Sequence, residues 1–100
     1  MSVARIVVEP DAKQDIRDAR DYYADKGERV ASDFRDELIR TFDFFGQYPE
    51  AVAVAFGRTR LKPMRQFPYV IGYIYHAGVI HVTGVQFGAL GWDAFQKRDF

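Results

Sequence analysis

The chain has 100 residues, 48% of them hydrophobic and 16% aromatic, which suits one domain spanning residues 1–100 and leaves little room for two. It contains no cysteine, which excludes disulfide bonds and thiolate metal sites. The formal net charge is zero, but residues 1–50 hold 8 Lys or Arg and 12 Asp or Glu, whereas residues 51–100 hold 6 and 2. This asymmetry hints at a charged partner.

The first predicted element is a strand over residues 2–9, where four valine and isoleucine side chains supply β propensity. Pro10 ends this strand and suits the first position of a helix. The N-terminal sequence lacks the apolar core and cleavage site of a signal peptide, and no segment approaches the roughly 18 apolar residues of a membrane span. We therefore expect a cytoplasmic protein that does not cross a membrane.

Two amphipathic helices follow, joined at Gly27. Over residues 11–26 the apolar side chains recur at intervals of 4, 3 and 4, which predicts one helical stripe of Ala12, Ile16, Ala19 and Tyr23. Residues 28 to about 45 repeat the pattern with Val30, Ala31, Phe34, Leu38, Phe42 and Phe45, and Ile39 widens that stripe. The pattern predicts an antiparallel helical hairpin that rests its apolar face on another element and turns its acidic side chains to solvent.

The segment after the helices is less regular. Tyr48-Pro49 ends the second helix, because proline disfavours helix at the residue before it. Residues 50–58 are either a loop or an irregular strand. Residues 60–65 predict a strand, which Pro63 places at a sheet edge or at a bulge because proline has no N–H for the ladder. Residues 66–68 then turn the chain.

Residues 69–75 and 79–86 predict a β-hairpin around the three-residue loop His76-Ala77-Gly78, which pairs Tyr75 with Val79. One face of this hairpin is small and apolar and is predicted to pack on the helices: Val70, Gly72, Ile74, Ile80, Val82 and Gly84. The opposite face is aromatic and amphipathic: Tyr69, Ile71, Tyr73, Tyr75, His81 and Thr83. Residues 92–100 predict a short helix, with Asp93 in its first turn and Lys97 and Arg98 in its last.

The basic excess of the second half is concentrated in Arg58, Arg60, Lys62 and Arg65. The tyrosine row of the hairpin either stacks on nucleic-acid bases or packs across the strands. Trp92, the single tryptophan, either closes the core or anchors an interface. The two histidines are five residues apart with no carboxylate cluster beside them in sequence, so we expect no metal site. No phosphate loop or nucleophile elbow is present.

The order of strand, two helices and three strands, with Tyr48-Pro49, Arg60-Leu61 and the motif Phe-Pro-Tyr-x-Ile-x-Tyr at residues 67–73, resembles the ParE/RelE superfamily of toxins from type II toxin–antitoxin systems. The resemblance covers about residues 3–92, and the extended helical hairpin favours the ParE-like branch. It implies an α+β fold with an N-terminal strand, a helical hairpin and a three-stranded antiparallel sheet curved under the helices. It also implies a ParD-like antitoxin partner, whose C-terminal segment wraps around the toxin, and no cofactor.

The two branches of this superfamily imply different chemistry. The ribonuclease branch supplies cations around the scissile phosphate, often with Arg after the motif tyrosine and a basic segment after the last strand. Here Val70 and the uncharged stretch Phe87-Gly88-Ala89-Leu90 stand at those places, which disfavours ribonuclease activity. The ParE branch is implied to poison DNA gyrase by binding and needs no catalytic group, although many of its members also carry His and Arg after the last strand.

Three hypotheses follow from the resemblance. The chain is a gyrase-inhibiting toxin without catalytic activity, a ribosome-dependent mRNA endoribonuclease, or a non-toxic family member that acts as a binding module. Catalytic residues stay unassigned, and no direct sequence-specific binding to nucleic acid is expected of the chain alone. The residues expected to bind an antitoxin or target are Arg58, Arg60, Lys62, Arg65, Tyr69, Tyr73, Trp92, Lys97 and Arg98.

Overall fold

The computed structural model of the protein describes residues 3–100, so the part of the predicted first strand that falls on Ser2 lies outside the described residues. The elements follow in the order β1 (Arg5–Val8), α1 (Pro10–Lys26), α2 (Glu28–Gln47), β2 (Val54–Phe56), β3 (Thr59–Pro63), β4 (Tyr69–His76), β5 (Val79–Phe87), a 3₁₀ turn (Gly88–Leu90) and α3 (Asp93–Lys97). The α+β fold class is confirmed, as are the two long helices and the short helix predicted within residues 92–100.

Four strands follow the two long helices where three were predicted, and β1 completes a five-stranded sheet in the order β1-β5-β4-β3-β2. β1 joins it in parallel with β5, while the other neighbours are antiparallel. Part of the segment that sequence left unplaced forms β2. Since β2 pairs with Thr59 and Arg60, β3 is an inner strand there, and its predicted edge position holds only beyond Arg60, at Pro63.

The helical stripes bury most of the side chains that periodicity assigned to them. Ala12, Ala19, Tyr23, Phe34, Leu38 and Phe45 are all buried. Two expectations for α2 were wrong. Ile39 is 51% exposed and does not widen the stripe, whereas Glu37, expected to face solvent with the other acidic residues, is only 5% exposed.

The turn between β4 and β5 has two residues, not three. Ala77 and Gly78 both have positive φ, 51° and 78°, the geometry of a tight hairpin turn whose twist matches that of the flanking strands. His76 therefore pairs with Val79 and Tyr75 with Ile80, so the predicted pairing of Tyr75 with Val79 was wrong.

This one-residue slip reverses the predicted faces of β4, because successive side chains on a strand point to opposite sides. The register also shifts at the Gly72/Tyr73 step, so that Tyr73 pairs with Val82 while Gly72 pairs with Gly84. The aromatic side of β4 thus packs on the helices, and the ring of Tyr73 stacks on Phe45 with centroids 4.0 Å apart. For β5, the predicted burial of Ile80 and Val82 against the helices is confirmed.

The two glycines of the hairpin pack against α3 and not against the helical hairpin. Sequence placed Gly72 and Gly84 against the helical hairpin, but the close approach comes from α3, whose Phe95 ring lies over the pair and is 1% exposed. A Cβ added at Gly72 would lie 2.5 Å from that ring. The sheet is therefore covered on both faces, by α1 and α2 on one side and by α3 on the other.

Candidate partner-binding surface

A cavity of about 360 Å³ lies between the second half of α2 and the end of β3. Its charged rim combines Arg40 from α2 with Lys62 from β3 and Arg65 from the β3–β4 loop. We call it the basic cleft; it is lined by Glu37, Arg40, Thr41, Phe44, Lys62, Pro63, Arg65 and Gln66.

Glu37 holds the loop that carries Arg65. Its carboxylate accepts hydrogen bonds from the backbone N–H of Arg65, at 2.5 Å, and of Gln66, at 3.0 Å. Hydrogen bonds to an ionised carboxylate are short and about twice as strong as neutral ones. The buried Glu37 carboxylate thus accepts the first backbone N–H groups of the loop after β3. It binds the backbone and forms no ion pair with Arg40, Lys62 or Arg65 among residues 3–100.

Lys62 and Arg60 extend from β3 on the side that faces α2. The Lys62 Nζ lies 5.6 Å from the centroid of the Phe44 ring, within the range of a cation–π interaction. Arg60 is half-buried and donates from Nη1 to the carbonyl of Val52 at 2.6 Å, which fastens the segment before β2. Lys62 therefore contributes to the basic cleft, while the guanidinium of Arg60 is engaged beside it.

The outer side of β3 is open next to the basic cleft. β2 pairs with β3 only at Thr59 and Arg60, so Leu61–Pro63 have no outer strand partner among residues 3–100. On the inner side, β3 stays paired with β4 through Pro63, and the Met64 N–H donates to the Tyr69 carbonyl at 2.9 Å. An uncovered stretch of strand offers backbone groups to an incoming extended segment.

The remaining predicted binding residues on the sheet lie elsewhere. Arg58, at the β2–β3 turn, is exposed and donates to Nδ1 of His76 at 3.1 Å. Tyr69 is half-buried at the other end of β4, in contact with Tyr23 and Phe34. Burial is the main cause that raises the pKa of the Tyr69 hydroxyl above its usual value.

Tyr73 belongs to the core. It is fully buried, and its hydroxyl donates to the Pro49 carbonyl at 2.8 Å. Burial raises the pKa of Tyr73, and the nearby Arg60 opposes that rise. Its side chain is therefore not part of the exposed surface in this conformation.

Trp92, Lys97 and Arg98 lie in the segment that follows β5, and Arg98 reaches α1 at the edge of the sheet. Trp92 is 49% exposed, and its ring centroid lies 5.8 Å from that of Phe56. The Arg98 Nη1 is 2.6 Å from Asp15 Oδ2. The nine predicted residues thus do not form one site; only Lys62 and Arg65 gather in the basic cleft.

Sequence reasoning missed Arg40, Glu37 and Phe44, which complete the basic cleft from α2. Glu37 follows Phe34 by three positions and precedes Leu38, so it borders the apolar stripe, and that position was the one available signal of its burial. Within residues 3–100, no group of three or more His, Cys, Asp or Glu side chains is arranged to hold a metal ion. No helix in the same range is long and apolar enough to cross a membrane.

The chain was compared with known proteins in three ways. Residues 6–86 match the family model described as the ParE toxin of type II toxin–antitoxin system, parDE. A solved structure described as the chromosomal ParDE TA system from P. aeruginosa superimposes with a TM-score of 0.73, covering 85% of this chain and 96% of that chain at 12% identity. At this identity the structural likeness shows the fold alone. A comparison with curated protein sequences finds no significant match.

Proposed function

Because the chain belongs to the ParE toxin family of type II toxin–antitoxin systems, we propose that it is the toxin of such a pair, neutralised by a ParD-like antitoxin. We further propose that it inhibits DNA gyrase by binding and without catalysing a reaction. The observation that carries the antitoxin proposal is the basic cleft beside the uncovered stretch of β3.

The basic cleft suits an acidic, extended segment of the antitoxin. Arg40, Lys62 and Arg65 supply three positive charges, and Phe44 supplies an apolar wall. The open side of Leu61–Pro63 offers main-chain groups that such a segment pairs with by strand addition. Complementary charge raises the association rate and selects against wrong partners. Arg58 and Arg60 extend the positive surface along β3.

The gyrase part of the proposal draws support from a different surface. The last residue of β5 and the segment after it present Phe87, Leu90 and Trp92, which are 43%, 69% and 49% exposed. Exposed apolar and aromatic side chains of this kind are typical of protein contacts. We propose that this exit from β5 meets the target, and that the protein acts in the cytoplasm, where gyrase works.

The first test is colony counting after induced expression in a bacterium without the antitoxin. We expect a sharp fall in viable cells that co-expression of the ParD-like partner prevents. With purified components, an excess of the protein should accumulate cleaved DNA in a gyrase assay. Full gyrase activity together with cleavage of ribosome-bound message would support the ribonuclease alternative. Normal growth with intact antitoxin binding would indicate a binding module without toxicity.

The role of the basic cleft is tested by reversing its charge. In the double variant Lys62→Glu, Arg65→Glu, we expect co-expressed antitoxin to protect poorly. The control with the same change in net charge is Arg20→Glu, Arg29→Glu, at exposed positions of α1 and α2 outside the basic cleft. Arg29 lies about 16 Å along α2 from Arg40. Equal protection of the double variant and the control would show that the antitoxin binds elsewhere.

A further inference from the structure

Residues 92–100, which we call the strap, cross the sheet face opposite the helical hairpin. They lie beyond residues 6–86, the part of the chain that matches the family model. Contacts between the strap and the rest of the described chain are made by Trp92, Phe95, Arg98, Asp99 and Phe100. Those of Phe95, Arg98 and Asp99 are the ones that carry the inference.

Phe95 anchors the middle of the strap. Gly72 and Gly84 pair directly across β4 and β5, and the absence of two side chains leaves a hollow in the sheet surface. The Phe95 ring fills it, so that a Cβ at Gly84 would lie 2.8 Å from the ring. An aromatic ring packed over a glycine on a sheet restores the contacts that the missing side chain would make.

Arg98 anchors the strap at the edge of β5. β1 pairs with β5 only as far as Val82, so among residues 3–100 no strand borders the following residues of β5 on that side. There the Arg98 Nη1 donates to the Thr83 carbonyl at 3.0 Å and to Asp15 Oδ2 at 2.6 Å. Asp15 in turn accepts the Val85 N–H at 3.0 Å. The pair closes this edge and connects the strap to α1.

Asp99 reaches the turn between β2 and β3. Its Oδ1 accepts the backbone N–H of Arg58 at 3.0 Å and the hydroxyl of Thr59 at 2.6 Å. Thr59 is fully buried beneath the strap. Gly57 has a φ of 51°, and a Cβ there would collide with the Asp99 carboxylate. The turn and the carboxylate are thus fitted closely to each other.

We propose that Asp99 is a positioning residue, and that the docked strap sets the place of Arg58 on the molecular surface. The carboxylate holds the Arg58 backbone, from which the side chain reaches His76 at the neighbouring turn. Release of Asp99 frees the turn that leads into β3. The consequence for partner binding rests on the proposed function, because it requires that the antitoxin contact Arg58 on the positive surface beside the basic cleft.

The test compares Asp99→Ala and Asp99→Asn with Asp93→Ala, a matched change at an exposed acidic residue of α3. Amide hydrogen exchange is followed by NMR at Arg58 and Thr59, and the ring ¹⁵N shifts of His76 report its contact with Arg58. Trp92, the single tryptophan, reports by its fluorescence whether the strap stays packed on Phe56.

We expect exchange at Arg58 to become about tenfold faster in Asp99→Ala, because the lost bond is one to a charged acceptor. The His76 shifts should move as well. Asp99→Asn, which keeps an acceptor oxygen, should restore part of the protection, and Asp93→Ala should change neither signal. A change in Trp92 emission with the faster exchange would show that the whole strap has left. Unchanged exchange and His76 shifts in Asp99→Ala would overturn the proposal.

Calorimetry with the ParD-like antitoxin then tests the functional consequence. We expect weaker binding by Asp99→Ala than by Asp93→Ala. Equal affinities would remove the link between the strap and the partner. If the unaltered protein bound no antitoxin, the proposed function would fail, whereas the exchange data would still decide the role of Asp99.

Discussion

Replacement of Glu37 by alanine tests whether one buried carboxylate organises the basic cleft. The change removes the acceptor of the Arg65 and Gln66 N–H groups, both of which bond to a side chain that is only 5% exposed. A hydrogen bond to a charged group contributes about 1.5–3 kcal/mol. Because the loop is only partly buried, water replaces some of each bond. We therefore expect Glu37→Ala to lower the free energy of unfolding by about 2–4 kcal/mol. This is less than the sum of the upper values for two such hydrogen bonds.

The assay is urea unfolding at neutral pH, with the unfolding slope compared among variants to verify that the transition stays two-state. Glu37→Gln should cost less, about 1–2 kcal/mol, because its amide offers one acceptor oxygen in place of two. Asp36→Ala is the matched control: its carboxylate is half exposed, and its ion pair with Arg35 at 3.8 Å should contribute under about 0.5 kcal/mol. If Glu37→Ala cost no more than Asp36→Ala, the inference that Glu37 anchors the loop would be refuted.

Three further predictions concern the core and the partner. Burial raises the pKa of Tyr23, Tyr69 and Tyr73 above 10.0. A tyrosine whose pKa is raised in the folded state contributes stability that is present below pH 10 and is lost as the pH rises through the folded-state pKa. Urea midpoints should therefore fall above pH 10, and a flat profile would contradict this. Gly72→Ala should lower the free energy of unfolding by about 1–3 kcal/mol, because the added methyl group overpacks against Phe95. Gly88→Ala should change it little, because the nearest atom to its Cβ is 3.5 Å away. Equal urea midpoints for the two variants would refute the close packing of Phe95 on Gly72. Antitoxin at a thousandfold excess over Kd should stabilise the protein by about 4 kcal/mol, and an unchanged melting temperature would count against the pairing.

The helices were predictable because their burial follows a local period. Ala12, Ala19 and Tyr23 fall on one stripe, and each is buried where that period placed it. The hairpin register was not predictable, because the two-residue turn depends on a positive φ at Ala77, a residue whose type gives no signal of it. That single backbone choice decided which face of β4 meets the helices.

The basic cleft was likewise predictable only in part. Lys62 and Arg65 stand out along the chain, but Arg40 and Glu37 join them only when α2 packs beside β3. The strap was harder still. Its helix was predicted from sequence. Its contacts were not, because Asp99 bonds to Arg58, 41 positions away, and Arg98 bonds to Asp15, 83 positions away. No local pattern encodes such pairs.

The parallel pairing of β1 with β5 affects the order in which the protein folds during its synthesis on the ribosome. Arg5 pairs with Val79, so 74 positions separate two adjacent strands of the finished sheet. Synthesis at about 5–20 residues per second delivers β5 roughly 4–15 s after β1. The helical hairpin, built from local contacts, folds well within that interval, while β1 waits without its neighbour. The finished sheet, and any surface that depends on it, therefore arises only after β5 has been synthesised.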